Sequence, residues 1–154
     1  MKTVELNVVF NGQSYVGFDF SLLPLEAAKL AANAQIDQAA DVARRAVLGD
    51  SLRALEYQAA AQEAETFAQA GYTGQVPPTV QAWMDAAGLE AQAATDSILA
   101  EAAAWKGALY KIRAVRLKGK QDVAKAASHD AVVPIADAAI AAILASVEGV
   151  GNAA

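Results

Sequence analysis

Six of the chain's twelve basic residues, Lys106, Lys111, Arg113, Arg116, Lys118 and Lys120, fall within AEAAAWKGALYKIRAVRLKGK, residues 100–120. Cations at this density can meet nucleic-acid phosphates, an anionic membrane surface, or the carboxylates of another helix. Nucleic-acid binding calls for stacking aromatics or a recognised motif beside the bases, and only Trp105 and Tyr110 are near. Membrane-surface binding calls for a strongly apolar opposite face, and here that face is mostly alanine. The reading we favour is a solvated face paired with acidic helices. Nucleic acid is therefore an unlikely main partner, and its test is simple: such a protein shifts DNA at low salt, with strong salt dependence.

Other residues offer less chemistry. His129 is the single histidine and there is no cysteine, which removes two-histidine and thiolate metal sites as well as disulfides. Ser128, His129 and Asp130 are neighbours in sequence, but adjacency is not a catalytic triad and no nucleophile elbow accompanies them. We read them as a polar segment ending a helix. Glu63 and Glu65 are two apart and so diverge on a helix rather than forming a dyad. The glycines form no phosphate loop. Trp83 and Trp105 can line a pocket, though among alanines at helical spacing they read more readily as large core residues. No catalytic, cofactor or metal residue is expected, and no enzyme activity.

The elements that must carry these residues are mostly helices. Of the 154 residues, 40 are alanine and 6 % are aromatic. Alanine is the best helix former but contributes little apolar area, which favours long, closely approaching helices. The net charge of −5 argues mildly against nucleic acid. The start, MKTVELNVVFNG, lacks the apolar core of a signal peptide, and no run approaches the ~20 apolar residues of a membrane span. The expectation is a soluble protein without a membrane partner.

Residues 1–20 differ from the rest. VELNVVF and SYVGFDF alternate around Asn11-Gly12, which predicts a β-hairpin with Val4, Leu6, Val8 and Phe10 on one strand and Val16, Phe18 and Phe20 on the other. A two-stranded hairpin is marginal alone, so it needs helices behind it or strands from other chains. Ser21 and Pro24 suit the start of a helix over 22–48, with Leu25, Ala28, Ala32, Ile36, Ala39, Ala43 and Val47 spaced by threes and fours. LGDS, residues 48–51, reads as a break at Gly49 with Asp50 or Ser51 capping the next helix, and a continuous helix is the alternative. Leu52, Leu55, Ala59, Gln62 and Thr66 extend the spacing to Gly71. GYTGQVPP, residues 71–78, is a loop. A short helix to Gly88 follows, then a long one from about Glu90 to Ala127. Its residues Ile98, Ala102, Trp105, Leu109 and Ile112 make a coiled-coil-like stripe. Residues 128–134 break it, Pro134 opens a last helix, and the tail is expected to fray.

The fold expected is thus mainly α: a hairpin at 1–20, a long helical region at 21–130, and a short C-terminal helix and tail at 131–154. The helices would form an elongated hairpin or coiled-coil-like bundle. Charge is segregated along it. No lysine or arginine lies between Ala54 and Trp105, which enclose seven acids, whereas Lys106 to Lys125 holds seven bases and the single acid Asp122. If the chain folds back at 71–89, the basic half can pair with an acidic helix of this chain or of a neighbour.

Residues 54–125 carry, in order, YQ, EAETF, GYTGQVPPTVQAWMDAAG and AATDSILAEAAAWKGALYKIRAVRLKGKQDV, preceded by IDQAADVARRAVLGDSLRALEYQ. This order resembles small tailed-bacteriophage proteins encoded near tail fibre genes, over about residues 36–125. The junction LGDS lacks the proline-glycine turn of such proteins. The resemblance implies a structural or assembly protein of the virion tail, made in the host cytoplasm, and carries over no catalytic residue. Its partners would be other tail or fibre proteins and itself, as a homo-oligomer with a trimer favoured. The interface expected comprises Val8, Phe10, Phe18 and Phe20 of the hairpin with Ile98, Trp105, Leu109 and Ile112 of the stripe, so that Ile112→Asp dissolves the oligomer. A fibre assembly chaperone absent from the finished particle is the alternative, and a helical nucleic-acid binder the third.

Overall fold

The computed structural model describes residues 1–49 and 51–149. The chain is mainly helical, with an N-terminal two-stranded hairpin: β1 (Leu6–Phe10), β2 (Gln13–Phe18), α1 (Leu25–Leu48), α2 (Ser51–Gln69), α3 (Pro78–Ala87), α4 (Ala91–Lys125) and α5 (His129–Ala145). The described residues form two compact units. One comprises Met1–Arg44 with Leu109–Glu148, the other Arg45–Ala108.

In the first unit, β1 and β2 pair antiparallel about Asn11-Gly12, both at positive φ (49° and 77°) as a tight two-residue turn requires. The register then shifts: Leu6 faces Phe18 but Asn7 faces Val16, which leaves Gly17 as an extra residue at φ 71°. This bulge moves Val16 to the face of Asn7 and Val9, and keeps Phe18 with Tyr15, whose rings meet edge to face at 5.4 Å. The Asn7 side-chain oxygen accepts the Gly17 N–H at 3.0 Å and fixes the bulge. Alternation alone, which grouped Val16 with Phe18 and Phe20, therefore fails at one residue. Phe20 is not in the strand. It belongs to a 3-10 turn, Phe20–Leu22, and its N–H donates to the Thr3 carbonyl at 2.7 Å.

Helix α1 begins later than expected, at Leu25. Ser21 lies in the 3-10 turn, and the Pro24 carbonyl accepts the Ala28 N–H at 2.9 Å. Its buried residues Ala28, Ala32, Ile36, Ala39 and Ala43 follow the spacing read from the sequence, joined by Ala27, Ala31 and Ala40. The C-terminal part of α4 buries Ile112, Gly119 and Val123, and α5 buries Val132, Ala136, Ala139 and Ile143. These small residues bring the backbones close. A Cβ built on Gly119 would lie 2.6 Å from the Ala139 Cβ and 3.5 Å from Ile36 Cδ1. Helices α1 and α4 are tied further by Arg116 and Lys120, which donate to Asp37 at 2.8 and 2.5 Å, and by Lys29, which donates to the Ala124 carbonyl at 3.1 Å. Gln35 clamps the N-terminal segment: its Nε2 donates to the Lys2 carbonyl at 2.9 Å and its Oε1 accepts the Lys2 N–H at 2.6 Å. The terminal ammonium pairs with Asp137.

Helix α5 opens at His129, not at Pro134. Ser128 caps it, its hydroxyl oxygen accepting the Ala131 N–H at 3.3 Å, and Pro134 lies inside the helix. Proline there leaves the Asp130 carbonyl without its helical donor, and Asp130 is exposed to water.

In the second unit, α2, α3 and the N-terminal half of α4 surround a core of Ala64, Val80 and Ala94, with Val76, Trp83, Met84, Leu89, Ile98 and Leu99 packed on it. Tyr57 meets Trp105 edge to face at 4.2 Å near one end, and Tyr72 donates to Asp96 at 2.8 Å near the other. Those pairings make α2 and this half of α4 antiparallel. The loop at 71–78 does turn the chain back. The face that α2 buries carries Tyr57, Ala60, Ala64 and Phe67, whereas Leu52, Leu55, Ala59, Gln62 and Thr66 are exposed. Both sets recur at helical spacing, and alanine between them gives neither an advantage; the ring contacts of Tyr57 with Trp105 on α4 and of Phe67 with Tyr72 fall on the buried set. Gly88 ends α3, its N–H donating to the Met84 carbonyl. Helix α1 ends before Gly49 and α2 starts at Ser51, so there is a break; the capping expected of Asp50 or Ser51, and the frayed tail over 150–154, lie outside the described residues and side chains.

Candidate functional site

The hairpin residues singled out from the sequence have different fates. Leu6 and Phe20 are buried, and Phe20 packs edge to face on the His129 ring at 5.7 Å. Val8 and Phe10 are half-buried, and Phe18 is exposed. The opposite face carries Val9 at 68 % and Val16 at 72 % exposure. In a sheet of two strands each strand also has an unpaired edge. The hairpin thus presents two exposed valines on one face and one unpaired edge on each strand.

The helical stripe is divided. Ile112, in the first unit, is completely buried in the chain, and Leu109 is half-buried. Ile112→Asp would therefore put a charge into the core of a single chain and attack the fold before any oligomer. Ile98 and Trp105 belong to the other unit, where they line a surface cavity of about 470 Å3 between α2, α3 and α4, together with Tyr57, Trp83, Glu56 and Glu101. The indole N–H groups of Trp83 and Trp105 are both buried without an acceptor in the protein. The two tryptophans thus serve both readings made from the sequence: Trp83 packs on the core, and both form the wall of a pocket.

Glu63 faces α3. Its Oε2 accepts from the Thr79 backbone N–H at 3.1 Å and from the Thr79 hydroxyl at 2.6 Å. The residue before α3 is Pro77, which offers no capping side chain, so a carboxylate from α2 caps the helix instead. These hydrogen bonds from Thr79 hold the Glu63 carboxyl below its usual range. Tyr72, at φ 57°, is held by Asp96, and that hydrogen bond raises the phenol above its ordinary value.

Among the described residues, the ion pairs shown by the basic run lie outside the acidic segment 54–105. Arg116 and Lys120 share Asp37 of α1, and Lys118 pairs with Asp122 of its own helix. Burial opposes ionisation of Asp37, but the two cations outweigh it and lower its pKa. Lys111, Arg113 and Lys125 are exposed. His129 opens a helix instead of ending one, and its Nε2 faces the Leu23 carbonyl at 2.9 Å. A carbonyl only accepts, so this nitrogen carries the hydrogen, and the Ser128 hydroxyl is committed to the cap. The three neighbours form no relay.

Among the described residues no cluster of three or more histidine, cysteine or carboxylate groups is placed to hold a metal, and no helix is long and apolar enough to cross a membrane. Comparison with protein-family models, with curated proteins and with solved structures finds no match. Sequence reasoning passed over Tyr57, Glu56 and Glu101 as site residues. The signal for Glu101 was present, since it follows Ile98 by three and precedes Trp105 by four on α4. For Tyr57 no periodicity separates its face from the face of Leu52 and Leu55.

Proposed function

We propose that the chain is a non-catalytic assembly component of a bacteriophage tail, part of a fibre or an adaptor for one. One observation carries the reading: the hairpin is held to the helices through buried Leu6 and Phe20 and the Gln35 clamp, while its Val9 and Val16 face and its strand edges are open. Strand addition at such an edge is directional and uses main-chain hydrogen bonds, as durable assembly contacts do. The order of motifs over residues 36–125 supplies the tail assignment. In this reading the helices belong to an elongated, coiled-coil-like homo-oligomer, with three chains favoured. Self-association then runs through the hairpin and not through Ile112, whose burial is complete within one chain.

The test counts this chain in purified particles against a known tail protein. Copies in multiples of three or six support the built-in component. Absence from particles with abundance in the infected-cell lysate favours the chaperone. In solution, Val9→Asp and Val16→Asp remove exposed side chains only, so the fold survives and the oligomer mass falls to that of one chain. An unchanged mass for both variants counts against the hairpin as the contact.

A further inference from the structure

The cavity of the second unit has a composition that selects its occupant. Its volume of about 470 Å3 lies within the roughly 300–1,000 Å3 of ligand sites. Three aromatic rings, Tyr57, Trp83 and Trp105, share its wall with Ile98 and with the carboxylates Glu56 and Glu101. Neither carboxylate forms an ion pair among the described residues. No lysine or arginine occurs between Ala54 and Trp105, so nothing in the wall offsets their charge. Aromatic faces and unpaired carboxylates together attract an organic cation: the π-systems attract its charge, and the carboxylates complete the match. Ammonium and guanidinium groups differ here. A guanidinium is planar, stacks on rings, and is less strongly hydrated, so it loses less on entering an aromatic site.

An arginine residue within an extended peptide brings a guanidinium on an apolar stem, with neighbouring residues on either side. The cavity is larger than one side chain fills and leaves space for those neighbours. We propose that it receives an arginine side chain from an extended segment of a partner protein. The stem lies against Trp83 and Trp105, and the guanidinium faces Glu56 and Glu101. This does not rest on the tail assignment.

Both tryptophans of the chain form this wall, so intrinsic fluorescence reads the cavity directly. The full chain is titrated with a capped Ala-Arg-Ala peptide, with its neutral citrulline counterpart, and with benzylguanidinium. The arginine peptide is expected to change the emission saturably and to weaken as salt is raised. The citrulline peptide should bind at least about fivefold more weakly, and Glu56→Gln and Glu101→Gln should each reduce arginine-peptide affinity by about threefold to tenfold. Glu56 is exposed and Glu101 half-buried, so both variants should keep the parent circular dichroism. Equal binding of the citrulline peptide, or no response to the arginine peptide, overturns the proposal. Tighter binding of benzylguanidinium than of the peptide reassigns the cavity to a small cation and overturns the peptide occupant. Self-association of the chain that both glutamine variants abolish would put a second copy there, and overturns it likewise.

Discussion

The two units are built from the same alanine-rich helical material, and α4 contributes one half to each, yet their interiors differ. Where α4 passes α1 and α5, its contact residues are Ile112, Gly119 and Val123, and Gly119 leaves no space for even one methyl group. Where it passes α2 and α3, its contact residues include Ile98 and Trp105, and a cavity remains beside three aromatic rings. Small side chains let helices approach until backbones touch. Large, flat ones fill space unevenly and leave room between them. In a chain this rich in alanine, a few large residues therefore decide where a ligand can enter.

The contrast can be broken most severely at its closed end. Ile112→Ala should destabilise the first unit by about 2–5 kcal/mol, whereas Ile98→Ala, on a cavity wall, should cost clearly less. Denaturant unfolding of both variants checks the difference, and equal losses would mean that the second interior is as tightly filled as the first. Next come the glycines of α4. Gly119→Ala should destabilise by about 1–3 kcal/mol, because the new methyl meets Ala139. Gly107→Ala meets nothing within 4 Å and should stabilise by about 0.5–1 kcal/mol, the ordinary gain of alanine in a helix. Two identical substitutions twelve residues apart on one helix thus shift the melting temperature in opposite directions.

A smaller effect in the first unit is read by pH. The folded-state pKa of Asp37 is depressed below 3.8, so its contribution is fully present above that value and is lost as pH falls through the folded value. Asp37 remains partly exposed, which limits the loss to about 1 kcal/mol or less. Comparing the acid unfolding of the parent with that of Asp37→Asn isolates it; the variant should lose this part of the slope below pH 3.8. Smallest and most local is the cap of α3. Glu63→Gln should speed hydrogen exchange at the Thr79 amide and its neighbours and leave the first unit unchanged.

Much of the fold was legible in the sequence because it is set locally. Asn11-Gly12 dictates the hairpin turn, Gly88 marks the end of α3, and the spacing from Ala28 to Ala43 marks the inner face of α1. The candidate site was less legible. Trp83 and Trp105 were visible as large residues, and Ile98 as the companion of Trp105 on the stripe, but their partners Tyr57, Glu56 and Glu101 were not. Periodicity identifies a face only when polar residues contrast with apolar ones, and alanine on every side of α2 removes that contrast.

What the sequence by itself determined is the inventory of elements, the hairpin, and the segregation of acids from bases, since these depend on neighbours a few residues apart. The tertiary structure decided the rest. It placed Gly17 as a bulge that splits Val16 from Phe18, buried Ile112 within the chain, gave Asp37 to Arg116 and Lys120, and supplied Glu63 as a cap from another helix. Each of these depends on which backbones come within contact distance, and that is fixed only when residues distant in the chain pack together.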